Sequence, residues 1–237
     1  MTAAIRNRPE AVPVGLLLSA VGGCLDAYTY VGHGGVFANA QTGNVVLLAV
    51  GAVRGQFAES LRHLPPLVSF VLGLAVAESL ARPWARTALR RPTRVVLAAE
   101  AVVLAVCATG TLPSTVVTVA VAFVAALQVS TFKKAGDVGY NATVTTGNLR
   151  SLVAEFAAWW SERRPGAGRR TAVLGGIVVS FATGAAVGTG LTLAWGDGAA
   201  AAAAGAIVVV LVAIVVETRR RERTSGAVED DDGAGGR

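Results

Sequence analysis

An all-α integral membrane protein is the fold class this sequence predicts. It comprises about six transmembrane helices and two re-entrant or broken polar segments, set in two pseudo-symmetric, inverted repeats. Three observations lead there. Of 237 residues, 53% are apolar and only 15% charged, with a mean hydropathy of +0.57, whereas soluble domains carry about 25% charged residues. A polar stretch ending in Thr-Gly-Asn occurs twice between apolar runs, at 36–44 and 141–148, with Gly147 lying 104 residues after Gly43. The basic residues fall between the apolar runs, as in membrane loops, and not along one stripe as nucleic-acid binding would require.

Each element follows in order. Residues 1–10 are a polar leader with Arg6 and Arg8, and residues 11–31 are the first span. Val21-Gly22-Gly23-Cys24 imitates a lipoprotein cleavage box, but the apolar run continues past the cysteine and further spans follow, which argues against processing. Gly32-His33-Gly34-Gly35 turns the chain into the first Thr-Gly-Asn segment, and 45–53 is an apolar helix too short to cross alone. After a loop holding Arg54, Arg62 and His63 come spans at 64–81 and 95–112, separated by a loop at 82–94 with five arginines. Pro113 marks a turn, and 114–132 is the next span, ending at Lys133-Lys134. A Gly-containing turn at 136–140 leads into the second Thr-Gly-Asn segment. Residues 149–160 are amphipathic, with Leu149, Leu152, Val153, Phe156 and Trp160 on one face at helical spacing. A loop at 161–170 carries four arginines. Spans at 171–195 and 199–216 flank Gly196-Asp197-Gly198. The tail, 217–237, is basic, then acidic, then Gly-rich, and reads as a disordered cytoplasmic segment.

A shift of 104 residues superposes the halves. Span 11–31 falls on 115–135, 64–81 on 168–185, and 95–112 on 199–216. Repeat A is therefore 11–112 and repeat B 113–216. If neither Thr-Gly-Asn segment crosses, each half has three crossings and the second half is upside down. With the N-terminus inside, only Arg54 and Arg62 then lie outside. If both segments cross, seven basic residues lie outside. Two violations against seven favour re-entrant segments, with both termini in the cytoplasm and the chain in a bacterial cytoplasmic membrane.

Polar backbone at membrane depth is tolerated only where protein or a polar cavity surrounds it. Gly43 and Gly147 permit positive φ or close approach, and Thr42, Asn44, Thr146 and Asn148 suit helix N-caps. Two helix N-termini related by pseudo-symmetry can form a site for a small polar or anionic solute near the midplane. The expected binding residues are Asp26, Asn39, Gln41, Thr42, Gly43, Asn44, Asn141, Thr143, Thr146, Gly147 and Asn148. The competing reading is that these groups only hold helices together. Asp26 lies within a span and is costly there unless paired or hydrated, so it is the candidate proton- or cation-linked group. Its equivalent in repeat B is Ser130. Glu100, also mid-span, is either a second ion-coupling group or a carboxylate bonded to a neighbouring helix. Glu78 reads as interfacial, Lys133 and Lys134 as a membrane boundary, and His33 as a loop residue. Gly184 and Gly188 form a GxxxG suited to close helix packing.

There is no HExxH, GxSxG, Walker loop or CxxC, and Cys24 and Cys107 are far apart within apolar runs, so neither a metal nor another cofactor is expected.

The run Gly23-Cys24-Leu25-Asp26-Ala27-Tyr28-Thr29-Tyr30, then Gly34-Gly35-Val36-Phe37-Ala38-Asn39-Ala40-Gln41-Thr42-Gly43-Asn44, resembles the YoaK family of bacterial multi-pass membrane proteins. So do Gln128-Val129-Ser130-Thr131-Phe132 and Thr145-Thr146-Gly147-Asn148-Leu149-Arg150. The resemblance covers roughly residues 12–216. It implies an integral cytoplasmic-membrane protein, sometimes labelled a permease, and brings no substrate or catalytic residue with it. Cys24 stands where the family pattern suggests a small or apolar residue. A transporter or channel in contact with the lipid bilayer is the first expectation. A non-transporting membrane scaffold or partner subunit is the second. An intramembrane enzyme ranks behind both, since no nucleophile–base pair is visible. Oligomeric state, direction and solute stay open.

Overall fold

The structure is a computed structural model that describes residues 11–82, 92–143 and 145–234, with side chains described through Arg219. The leader arginines Arg6 and Arg8, the loop arginines Arg86, Arg90 and Arg91, and the acidic side chains near the C-terminus lie outside the described residues. Helix α1 (Val12–Gly32) opens the fold, with a proline in its first turn and no charged residue in its first or last turn. Short helices α2 (Gln41–Val53) and α3 (Phe57–Ser60) precede α4 (Leu64–Leu80). Then come α5 (Pro92–Cys107), α6 (Ser114–Thr131), α7 (Thr145–Trp160), α8 (Ala167–Trp195) and α9 (Ala199–Ala234).

Among the described residues, four stretches are long and apolar enough to cross a membrane: Val12–Gly32, Phe57–Leu80, Ser114–Thr131 and Ala167–Arg219. The last spans 53 residues, broken at Gly196–Gly198 into α8 and α9. Helix α5 has 16 residues. It ends at Cys107, five residues before the boundary expected at 112, because Gly110 adopts φ +68° and turns the chain. Helix α9 continues past 216 to Ala234. Glu217 and the arginines after it are good helix formers, so helical backbone extends into the stretch whose composition suggests disorder. A two-strand antiparallel hairpin, β1 (Lys134–Ala135) and β2 (Val138–Gly139), replaces the plain turn expected at 136–140.

The burial pattern is that of a membrane protein. Val68, Leu72, Val179, Leu193, Val209 and Val212 are exposed, whereas Asp26, Asn39, Asn44, Glu100 and Gln128 are buried. Water would select the opposite arrangement. On α7 the apolar face of Leu149, Val153, Phe156 and Trp160 points outward.

Two parallel helix pairs form the frame. In the first, Leu16, Ala20 and Cys24 of α1 lie against Gly176, Gly184 and Gly188 of α8. A Cβ on Gly184 would sit 1.9 Å from the Ala20 carbonyl oxygen, and one on Gly23 would sit 2.1 Å from that of Phe181. Small residues therefore let these backbones touch, which is the packing the GxxxG suggested. In the second pair, Ser69 Oγ of α4 donates to the Val119 carbonyl of α6 at 2.8 Å. A Cβ on Gly73 would lie 2.6 Å from the Phe123 carbonyl. Helices α5 and α9 pack together; α5 also meets α6, and α9 also meets α1. Gly184→Val is expected to lower stability by about 1–3 kcal/mol through overpacking. Gly190→Val, with open space around it, should leave stability unchanged; thermal unfolding in detergent distinguishes the two.

Helices α1 and α6 run antiparallel. His33, just past the end of α1, lies 3.3 Å from Ser114 at the start of α6. Gly15, near the start of α1, packs on Ala135 and Tyr140, beyond the end of α6. The chain leaves α1 through Gly34 and Gly35, at φ +81° and +74°, conformations that glycine adopts without strain. It then folds back along α1, so that Asn39 reaches the level of Gly22 and Asp26. From the opposite end, the chain after α6 rises until Ala142 also meets Gly22. It returns as α7, where Leu152 and Trp159 lie against Gly175 and Gly168 of α8. The two polar segments thus meet at mid-helix, about 15 Å from the α1 end at 1.5 Å per residue.

A candidate solute site between two asparagine-clamped segments

Both polar segments are held by the same device. Asn44 accepts a hydrogen bond from the Phe37 N–H at 3.0 Å and donates Nδ2 to the Phe37 carbonyl at 2.7 Å. Asn148 accepts from the Asn141 N–H at 2.9 Å and donates to the Asn141 carbonyl at 2.6 Å. In each case the partner lies seven residues earlier, and Phe37 and Asn141 are themselves 104 residues apart. The expected capping role is corrected here. Helix α2 begins at Gln41 with Ala40 as N-cap and no side-chain capping bond, and α7 begins at Thr145. Each Thr-Gly-Asn therefore lies inside the first helical turns. From there the asparagine reaches back to satisfy loop backbone that would otherwise be stranded at membrane depth.

The glycines are corrected as well. Neither Gly43 nor Gly147 has positive φ. Gly43 supplies close approach, since a Cβ there would be 2.9 Å from the Phe37 ring, whereas at Gly147 none of the described residues would come within 4 Å of one.

The first segment is also bound to α1. Asp26 Oδ1 accepts from the Asn39 N–H at 2.7 Å and the Ala40 N–H at 3.4 Å. Thr29 Oγ1 accepts from the Ala38 N–H at 3.1 Å, and Asn39 Nδ2 donates to the Gly22 carbonyl at 3.0 Å. The second segment satisfies itself instead: Asn141 Oδ1 accepts from both the Thr143 N–H and its hydroxyl, at 2.9 Å each. That difference explains why the second half does without a carboxylate at Ser130.

Between the segments lies a cavity of about 880 Å³. Asp26, Asn39, Gln41, Thr42 and Gly43 line it from the first side, and Asn141, Thr143 and Thr146 from the second. Asn44 and Asn148 do not line it; they stand behind as clamps. Gly147 and Asn148 border a second cavity of about 570 Å³, which shares Leu74, Val129 and Asn141 with the first and extends to Lys133. Lys133 pairs there with Glu78 at 3.3 Å, both exposed, as boundary residues would. Sequence reasoning missed the aromatic wall: Tyr30 and Phe37 stacked at 4.7 Å, with Phe70 and Phe181. Only the position of Phe37 beside the polar motif hinted at it.

Two other titratable positions differ from expectation. Glu100 is fully buried with neither oxygen hydrogen-bonded to a described residue, and it lines neither cavity. His33 is not a plain loop residue. It is buried, edge-on to Tyr28, with Nδ1 3.3 Å from Ser114 Oγ and Nε2 3.3 Å from Asp197 Oδ1. Burial holds its pKa below the usual histidine value, against the opposing pull of Asp197. This Ser–His–Asp contact joins the end of α1, the start of α6 and the α8–α9 turn, and neither cavity reaches it. No group of His, Cys, Asp and Glu able to hold a metal occurs among the described residues.

Residues 14–215 match the family described as "Protein of unknown function (DUF1275)". The chain belongs to that family. It is also similar to the UPF0700 transmembrane protein YoaK of Bacillus subtilis (strain 168). The two are 27% identical over 146 residues, an alignment covering 60% of this chain and 65% of that protein. No solved structure matches the chain. With its apolar helices, this relationship makes the chain a multi-pass membrane protein.

Proposed function

We propose that this family member is a transporter or channel for small polar solutes, with its binding site in the cavity between the two Thr-Gly-Asn segments. The observation that carries the proposal is that the cavity is lined from both segments at mid-helix depth. The second cavity, sharing three lining residues, continues it toward one end of the bundle. The proposed architecture has about six crossings and two re-entrant segments in inverted repeats, in the bacterial cytoplasmic membrane with both termini inside. Supporting it are the antiparallel course of the offset-related α1 and α6, the matching parallel pairs and the identical asparagine clamps. No catalytic step, metal or cofactor forms part of the proposal.

A second reading, a scaffold without transport, is favoured by Asn44 and Asn148, whose amide oxygen and nitrogen each hydrogen-bond within the chain. Flux separates the two. Sealed proteoliposomes are offered methylguanidinium, acetamide or acetate as cationic, neutral and anionic probes; passage of at least one above protein-free vesicles is expected. Passage of none leaves the scaffold reading. Orientation has its own check: single cysteines at 54–62 should react with an impermeant thiol reagent from outside intact cells. Labelling only after the cells are opened would contradict the assigned sidedness.

A further inference from the structure

We infer that the cavity selects a small organic cation bearing N–H donors, and that it excludes anions; this rests on the solute-site reading above. Among the described residues, Asp26 is the only ionisable side chain of either sign at its wall apart from the Tyr30 phenol, and no described Lys, Arg or His reaches it. At the positive end of α2, which would otherwise favour an anion, a carboxylate of the chain already stands. Asp26 Oδ1 takes the Asn39 and Ala40 N–H groups that lead into that helix.

What remains unsatisfied is acceptor capacity. Asn39 Oδ1 is buried without a hydrogen-bond partner, in a residue 1% exposed that lines the cavity. Thr145 Oγ1, on the facing wall, is likewise buried and unpartnered, and this hydroxyl can accept from an N–H as well as donate. A buried acceptor without a donor is costly, so a ligand that brings N–H groups meets acceptors that the chain itself leaves unpaired. The stacked Tyr30 and Phe37 rings, with Phe70 and Phe181, complete an aromatic wall, whose ring faces suit a cation better than an anion. One carboxylate, an idle amide oxygen, a hydroxyl able to accept and an aromatic wall therefore point to the same chemistry.

Binding to the purified full-length protein in detergent tests this separately from transport. Methylguanidinium, which is permanently charged, acetamide and acetate are titrated by calorimetry. Methylguanidinium is expected to bind at least about tenfold more tightly than acetate, and Asp26→Asn to weaken it about tenfold, as loss of one charge-assisted contact does. Should Asp26→Asn not fold, Thr145→Val, which removes only an unpartnered oxygen, is expected to weaken methylguanidinium about threefold or more. Acetate binding as tightly as methylguanidinium, no probe binding, or unaltered methylguanidinium affinity in the folded variants would overturn the inference. Methylguanidinium binding without flux would overturn transport and leave this selectivity standing. Acetate flux without methylguanidinium binding would do the reverse.

Discussion

Asn44→Ala is expected to destabilise the protein by about 2–4 kcal/mol. The substitution strands the Phe37 N–H and carbonyl, each at about 1–3 kcal/mol, and also removes the partner of Gln41 Oε1. Asn148→Ala should cost about the same, since it strands the Asn141 backbone in the same way. Asn44→Asp keeps the acceptor for Phe37 but loses both donated bonds, and should be nearly as harmful. Thr42→Ala, at an exposed position on the cavity wall, should stay within about 0.5 kcal/mol. Unfolding by SDS titration in mixed micelles ranks the four. An Asn44→Ala midpoint equal to that of Thr42→Ala would show that the clamp does not hold the segment.

The second large effect is on function. Asp26→Asn retains an oxygen for the Asn39 and Ala40 N–H groups, so the fold should survive within about 1 kcal/mol. It removes the charge from the cavity wall. Methylguanidinium flux is therefore expected to fall by at least about tenfold. Asp26→Leu removes the oxygens altogether and should give a poorly folded protein. If flux in folded Asp26→Asn matches that of the parent, the carboxylate belongs to the loop alone.

How much of this could be read from the residues depends on what each signal encodes. Apolar runs located the long helices, because hydrocarbon thickness sets their length, but the helical backbone of α9 runs well past its expected end at 216. The 104-residue offset relates α1 to α6, and these two helices run antiparallel. Asn44 and Asn148 were recognisable as important but assigned the wrong task. Asparagine at the start of a helix suits a cap, and nothing local says that its amide reaches back seven residues. The aromatic wall was invisible, since Phe70 and Phe181 sit in apolar runs where lipid-facing and cavity-facing rings look alike. His33 meets Ser114 and Asp197 across long sequence separations, and no periodicity carries that information.

The central claim is that solute passes through the space between the two clamped segments. Thr42→Cys tests it most directly, because position 42 is exposed in the cavity and the native cysteines, Cys24 and Cys107, are both buried. Methylguanidinium flux through Thr42→Cys proteoliposomes is measured before and after a bulky methanethiosulfonate reagent, and again after dithiothreitol. The expected result is flux that falls to the protein-free level on modification and returns on reduction. Flux that persists unchanged after complete labelling at position 42 would contradict the account.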